Sequence, residues 1–397
     1  MENKFAMIEI DECLNIISKL TPKRNIEKIT IHDSFGRILA KDIIADIDQP
    51  PFNKSAMDGY ACRMQDLPGP LTITGTIAAG SISDQIITTS TCMRIFTGAP
   101  VPDGADCVIM QEYTESDANG NIIFNLKTKN NICLRGEDIK AGDVAITAGT
   151  LVQPHHIGIM SGFGITKPEV FEKIKVAVIC SGSELIEPEQ KPQNAMIRNS
   201  NAYQLIAQIS QCGAEASYLG IVKDSQKELT KSLDAAIGKY DILIVTGGAS
   251  VGDYDFMPTV LNSLKANVHF SSLNIQPGKP VLCATIEQTH ILGLSGNPVS
   301  SFLQFLLVAK PLIKQLSGSK SISHNIVRVP ITENIKRKKG NRQLYVPVSI
   351  TADGTACPVY FNGSAHLTAL TNCNGFAILE PAINEITIDE LAHILII

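Results

Sequence analysis

The chain has 397 residues, 44% of them hydrophobic and 18% charged, and its 34 Lys and Arg against 39 Asp and Glu leave a formal net charge of -5 at pH 7. That balance excludes broad nucleic-acid binding through a basic surface, and at roughly 150 residues per domain the length predicts two to four domains. The N-terminus MENKFAMIEIDEC lacks both a basic and an apolar segment, and no run of 18 apolar residues follows, so a cytoplasmic location and no membrane association are expected.

Ten cysteines stand singly and never as CxxC. They are expected to be reduced, mostly buried thiols rather than a zinc knuckle or a disulfide framework. His155 and His156 are adjacent and would point in different directions, which suits a loop or structural role better than a metal pair.

In chain order, Ile10, Cys13, Leu14 and Ile17 recur at helical spacing and predict a short amphipathic helix over 8–20. From 45 to about 141 the pattern changes to short apolar runs separated by turns, with Asn119 and Gly120 marking a hairpin, which predicts an inserted β domain. Within it KSAMDGYA, FTGAPVPDGAD and RGEDIKAGD each place an acid beside glycine. Asp58, Asp106 and Asp138 then either bond local backbone, as aspartates in turns do, or stand free in a site left open by the small residues around Asp58 and Thr97.

Beyond residue 175 strand and helix alternate. A strand over 175–180, a helix over 202–212 closed by Gly213, a strand over 217–222, a helix over 226–237 and a strand over 241–246 make βαβαβ, the mark of an α/β unit. Ser225 and Glu228 have capping-box spacing for the second helix. The polar, Pro-rich loop 186–194 should skirt the end of the first strand. Strands around 268–273, 281–284 and 290–294 continue the sheet, and an apolar helix over 299–316 stops before Gly318. After about 321 a small C-terminal β domain follows, in which the basic run KRKKGNR (336–342) reads as a solvated loop in preference to an anion site.

The run 242–245 has the branching of a buried strand and ends in TGGASVGDYDF; two later stretches, NIQPGKPVL and LGLSGNPVSSF, repeat the design of apolar strand and Gly/Pro turn. Ligands of open α/β sheets bind outside the carboxyl ends of strands, so three such turns predict one site. Gly247, Gly248, Ser250, Gly252, Gly278 and Lys279 suit anion binding through backbone N–H groups, a hydroxyl and an ammonium. Asp253 and Asp255, two apart in the loop, either hold Mg²⁺ against a phosphate or act as a helix N-cap and a solvated acid. Neither GxxxxGK[ST] nor GxGxxG follows the first strand.

Together TGGASVGDYDF, PGKP, SGNPVSS, SAMDGYA, FTGAPVPDGAD, RGEDI and CSGSEL resemble, in order from about 46 to 381, the molybdopterin molybdenumtransferases or molybdate insertases, relatives of the gephyrin E domain. The resemblance implies an α/β multidomain fold. It has a segmented N-terminal domain (1–45 plus 142–173), an inserted β domain (46–141), a βαβ molybdopterin-binding domain (174–322) and a C-terminal β-barrel (323–397). It implies a homodimer whose site lies between the α/β domain of one copy and the inserted domain of the other. The implied reaction takes adenylylated molybdopterin and molybdate, releases AMP with Mg²⁺ and leaves molybdenum on the dithiolene, with the adenylyltransferase and acceptor molybdoenzymes as further partners. The substrate's own sulfurs attack molybdenum, so positioning and charge neutralisation suffice and no protein nucleophile is needed.

By motif position the functional acids and hydroxyl fall on Asp58, Thr97, Asp138, Glu184, Asp224 and Asp255, with Glu184 and Asp255 toward Mg²⁺ or water. Substrate contacts fall on Arg198, Gly247, Gly248, Ser250, Gly252, Asp253, Pro277, Gly278, Lys279, Gly296, Asn297, Pro298 and Ser300. Three positions depart from the family pattern: Ser295 stands for a usual proline, and Cys133 and Pro347 for usual arginines. Two other readings are adenylyl transfer to molybdopterin, which would consume ATP, and a non-catalytic scaffold that retains the fold.

Overall fold

Ile10, Cys13 and Ile17, spaced three and four apart, wind into helix α1 (Ile10–Ser18), and all three are buried. The computed structural model describes residues 7–21, 25–247, 256–338 and 340–397. Further on, Ile26–Lys28 pairs antiparallel with Glu169–Phe171, and Ile43–Ile44 with Val144–Ile146, around a core of Leu39, Ile43, Ile146, Val152, Met160 and Val170. The chain thus leaves near 45 and returns near 142. Between those points lie β1 (Gly59–Cys62), β2 (Thr72–Ile77), β3 (Thr91–Ile95) and β4 (Cys107–Met110), in sheet order β2-β3-β1-β4. The hairpin at Asn119 and Gly120 forms as expected: Glu115–Ser116 pairs with Ile122–Ile123, and Asp117 Oδ1 accepts the Asn119 and Asn121 N–H groups at 2.8 Å. All ten cysteines are free thiols, six of them buried. His156 has a structural role, its Nδ1 accepting the Gln153 N–H (3.0 Å) at the start of the helix Pro154–Gly162.

The main sheet follows the alternation read from the sequence. Its parts are β5 (Lys175–Ser181), α2 (Asn201–Gln211), β6 (Glu215–Val222), α3 (Gln226–Ala236), β7 (Ile242–Thr246), α4 (Met257–Ser263), β8 (Asn267–Ser272), β9 (Pro280–Ile286) and β10 (Thr289–Leu294). Strand order is β6-β5-β7-β10-β9-β8; the first four are parallel and the last two antiparallel to their neighbours. Alternate residues of β5 and β7 face opposite layers. Val176, Val178, Ile242 and Ile244 pack with Leu205 and Ile209 of α2 and with α1, whereas Ala177, Ile179, Leu243 and Val245 pack with Leu229 and Leu233 of α3 and with α4. A strand covered on both faces has no polar side, hence the unbroken apolar run. At ~1.5–3 kcal/mol for each large side chain buried, these two layers dominate the stability of the unit.

Two local expectations are corrected. Ser225 makes no side-chain cap on α3; its backbone N–H instead donates to Lys223 O (2.7 Å), in a tight turn whose Asp224 carboxylate is held by β5. The apolar helix 299–316 is divided into α5 (Pro298–Gln304), a π turn (Phe305–Ala309) and α6 (Lys310–Leu316). Pro311 has no N–H to offer the carbonyl four residues back, Leu307 O, and His324 Nε2 donates to that oxygen instead (3.1 Å).

The C-terminal end holds β11 (Ile326–Pro330), β12 (Gln343–Ile350), β13 (Gly375–Leu379) and β14 (Leu391–Ile396), and Ile275–Gln276 pairs in parallel with β12. The order Ile275–Gln276, β12, β13, β14, β11 ties this sheet to the loop before β9.

At the opposite end of the main sheet His290 is only 7% exposed, and Thr285 Oγ1 bridges His269 Nε2 (2.8 Å) and His290 Nδ1 (3.0 Å). Burial first, and His269 second, push the His290 ring down to about 4. The unfolded chain then takes up the proton first. The stability this group contributes is complete above its unfolded value near 6.5 and is lost as pH falls toward 4, an effect of roughly 3 kcal/mol. Denaturant midpoints measured between pH 7 and pH 4 should fall accordingly, and His290→Gln should make that slope shallower by about one proton; an unchanged slope in the variant refutes the assignment.

Candidate functional site

Four strand termini meet at one edge of the main sheet: the carboxyl ends of β5, β7 and β10 and the start of β9, which runs the other way. A cavity of about 980 Å³ opens there. It is lined by Glu184, Arg198, Asp224, Gly247, Pro277, Gly278, Lys279, Gly296, Asn297, Pro298 and Ser300, all expected at the site. The turns touch: a Cβ on Gly296 would lie 3.5 Å from Gly247 Cα. Gly247, at φ +84°, approaches β5 so closely that a Cβ would lie 2.0 Å from Ser181 O. Its N–H donates to Leu294 O (3.3 Å), so its amide is not offered to an anion and its role is to leave space, a correction to the expected contact. Gly248, Ser250, Gly252, Asp253 and Asp255 lie outside the described residues.

Two side chains that motif reading missed hold the turns together. Gln304 of α5 is fully buried; its Nε2 donates to Gly278 O (2.7 Å) and Pro280 O (2.6 Å), and its Oε1 accepts the Ser295 N–H (2.7 Å). One amide therefore joins the PGKP and SGNP turns. Asn201, at the start of α2, donates from Nδ2 to Thr246 Oγ1 (3.0 Å) and Gly296 O (2.8 Å), and Thr246 Oγ1 donates to Ser295 O (3.0 Å). The place of Gln304 between Phe302, Leu303, Phe305 and Leu306 is the sequence signal that points to it. Ser295, in place of the usual proline, accepts the Asn297 N–H on its hydroxyl (3.2 Å), a bond that closes the turn.

The cavity wall carries both signs of charge. At the β5 end, Asp224 accepts from Ser181 Oγ (2.9 Å) and the Ser183 N–H (3.0 Å), and Glu184 folds back so that its carboxylate oxygens lie 2.8 and 3.0 Å from where a Cβ on Gly182 would sit. Lys279 and Arg342 line the same cavity, as does Arg198 on the strand Ile197–Arg198. Arg342 corrects the solvated-loop reading of 336–342: it is half-buried, lines the cavity and donates to Ile275 O (3.0 Å). Arg337 of the same run is tied to Ile383 O (3.0 Å), Leu379 O (3.2 Å) and Glu380 O (2.8 Å). Phe361, Ser364 and Leu367 of the C-terminal part complete the wall, also unforeseen.

Among the described residues no three His, Cys, Asp or Glu side chains form a metal cluster. Mg²⁺ commonly takes only one or two carboxylates and completes its shell with water and substrate phosphate, and the Glu184 and Asp224 pair fits that donor set.

Asp58, Thr97 and Asp138 do not line this cavity. Asp58 and Thr97 are brought together in the insert, where Asp58 Oδ1 accepts the Thr97 N–H (2.7 Å) and hydroxyl (2.8 Å). Those bonds, the backbone one first, and the Arg94 charge hold the Asp58 carboxyl below its usual range. Thr97→Val should move its NMR-monitored titration upward, and an unmoved midpoint would refute the hydroxyl's share. Asp138 is exposed, with its N–H on Gln49 O (3.0 Å). Cys133 pairs with Lys54 on a short insert ladder, and Pro347 is buried in β12.

Residues 8–164 match the MoeA N-terminal region (domain I and II), and residues 177–315 match a probable molybdopterin binding domain. A structure of the molybdopterin biosynthesis MoeA protein from Pyrococcus horikoshii OT3 superposes with a TM-score of 0.83 at 26% identity, covering 99% of this chain and 100% of that one. Fold and cleft together define a MoeA-like protein of mixed α/β content with a molybdopterin-binding unit. The chain is 34% identical over 386 residues to a molybdopterin molybdenumtransferase of Staphylococcus epidermidis (95% of this chain, 92% of that protein), and 33% identical over 361 residues to one of Staphylococcus aureus (88% and 86%). It belongs to the molybdopterin molybdenumtransferase family.

Proposed function

We propose that this chain transfers molybdenum from molybdate to adenylylated molybdopterin, releasing AMP and forming molybdenum cofactor. The observation that carries the reading is the strand-end cleft, lined by the acids Glu184 and Asp224 together with Lys279, Arg342 and Arg198. Family membership supports the transferase assignment. The cations suit the oxyanions of molybdate and the phosphates, and the cleft lets the dithiolene approach molybdenum while the rest of the substrate is held; orientation of this kind is the main contribution expected of a site without a nucleophile. When bound at Glu184 and Asp224, with Asp255 as a further ligand, Mg²⁺ would neutralise phosphate charge during loss of AMP.

The same reading has the chain act in the cytoplasm as a homodimer in which a second copy brings Asp58, Thr97 and Asp138 to the cleft. It also has the C-terminal strands close into a barrel and the domain limits fall at 45, 141, 173 and 322. No helix among the described residues is long and apolar enough to cross a membrane. The test is AMP release from adenylylated molybdopterin with and without molybdate. Release should require molybdate and consume no ATP. Asp224→Asn, which keeps one oxygen for Ser181 but loses the charge and the acceptor of the Ser183 N–H, should raise the Mg²⁺ concentration for half-maximal rate at least tenfold. Molybdate-independent cleavage, or ATP turnover, would overturn the assignment in favour of adenylyl transfer.

A further inference from the structure

Glu184 and Arg198 reach the cleft from one strap, residues 182–198, folded on itself by the parallel pairing of Leu185–Ile186 with Ile197–Arg198. Apolar anchorage is confined to the first part of the strap: Ile186 is buried and Leu185 packs against the main core, but residues 189–198 are all exposed. What fastens the rest of it to the sheet is polar. Glu187 Oε1 accepts from the Tyr218 hydroxyl of β6 (2.7 Å) and Oε2 from the Tyr203 hydroxyl of α2 (3.2 Å). Asn199, 2% exposed, locks the other end, donating from Nδ2 to Tyr218 Oη (2.8 Å), accepting the Ala202 N–H (3.2 Å) and giving its own N–H to Ile186 O (2.9 Å). Burial first, and the Glu187 carboxylate second, push both phenols up, so each keeps the proton it donates. Within the strap the Ile197 N–H donates to Glu184 O (2.9 Å), and Arg198 Nε to Gln190 O (3.0 Å). The backbone of Glu184 is therefore bonded to the segment that carries Arg198, and both depend on where Glu187 is held.

We propose that Glu187, held by Tyr218 and Tyr203, is a positioning residue that sets the strap so that Glu184 and Arg198 meet the phosphate oxygens of the substrate together. The inference rests on the function proposed above. A half-buried carboxylate shared by two phenols is directional, and segments held by few apolar contacts open easily once such bonds are removed.

The test uses the full chain with Glu187→Gln, Tyr218→Phe and the double variant. Amide hydrogen exchange without substrate should quicken at least tenfold at Ile197 and Asn199. KM for adenylylated molybdopterin should rise about tenfold with kcat held within twofold, and the double variant should be no worse than the worse single one, as for residues acting through one network. Unchanged exchange, or faster exchange with KM unaltered, overturns the proposal. Equal losses in KM, kcat and melting temperature also overturn it, by making the network merely structural. A wild-type chain that releases no AMP sinks the functional reading and the substrate half of this inference with it. Unchanged exchange and KM in the variants of an active enzyme sink this inference alone.

Discussion

Gln304→Glu is expected to destabilise the protein by roughly 4 kcal/mol and to lower kcat/KM for AMP release at least a hundredfold. The substitution preserves shape and changes one donor into an acceptor. Gly278 O and Pro280 O, now 2.7 and 2.6 Å from a donating nitrogen, would face an oxygen at those distances. Each buried group left unsatisfied costs ~1–3 kcal/mol. An added proton on the new carboxyl can restore only one of the two bonds, so the defect should deepen as pH rises from 5 to 8. The kinetic loss follows because the same amide spaces the PGKP turn from the SGNP turn, and a displacement of about 1 Å in a positioning site can cost about a hundredfold. Chemical denaturation and the molybdate-dependent assay read the two effects separately. Stability within about 0.5 kcal/mol of wild type and an unaltered rate would show that the turns are held by other means.

Gly247→Ala is the second large effect, and its cause is steric. A methyl group would lie 2.0 Å from Ser181 O and would need a backbone at φ +84°, which L residues rarely adopt. The left-handed conformation alone costs ~1–2 kcal/mol, and relieving the overlap means separating the ends of β5 and β7, so a total of roughly 3 kcal/mol or more is expected. Gly296→Ala supplies the contrast. Its Cβ would rest at ordinary contact, 3.5 Å from Gly247 Cα, so stability should stay within about 1 kcal/mol while the methyl occupies the cleft wall and slows turnover. Thermal melts of the pair decide the matter: equal stability in the two variants would mean that the close approach of Gly247 to β5 is not rigid.

The regularity of the main sheet explains why its elements were readable in advance. The strands expected over 175–180 and 241–246 appear as Lys175–Ser181 and Ile242–Thr246, and the helix expected over 202–212 as Asn201–Gln211. Each depends on a period of two or of 3.6 residues contained within its own segment. Gln304, Asn201 and Arg342 were not readable as site residues, because their partners at Gly278, Gly296 and Ile275 lie 26, 95 and 67 positions away in the chain. Ser225 shows the converse. Its capping spacing was right, but the turn it belongs to presents Asp224 to β5, and the local motif did not form.

By itself the sequence determined the order of strands and helices, the glycine and proline turns after them, and the motif series that marks the family, since all of these reside in neighbouring residues. Only the tertiary structure decided which turns share a cleft, that the Gly247 amide is already bonded to Leu294, that Arg342 belongs to the cleft wall, and that Asp58 and Thr97 stand outside the cavity of their own chain. Those outcomes depend on how closely separate strand ends approach one another and on which donors are left over once the backbone has paired, and neither quantity exists until the sheet is assembled.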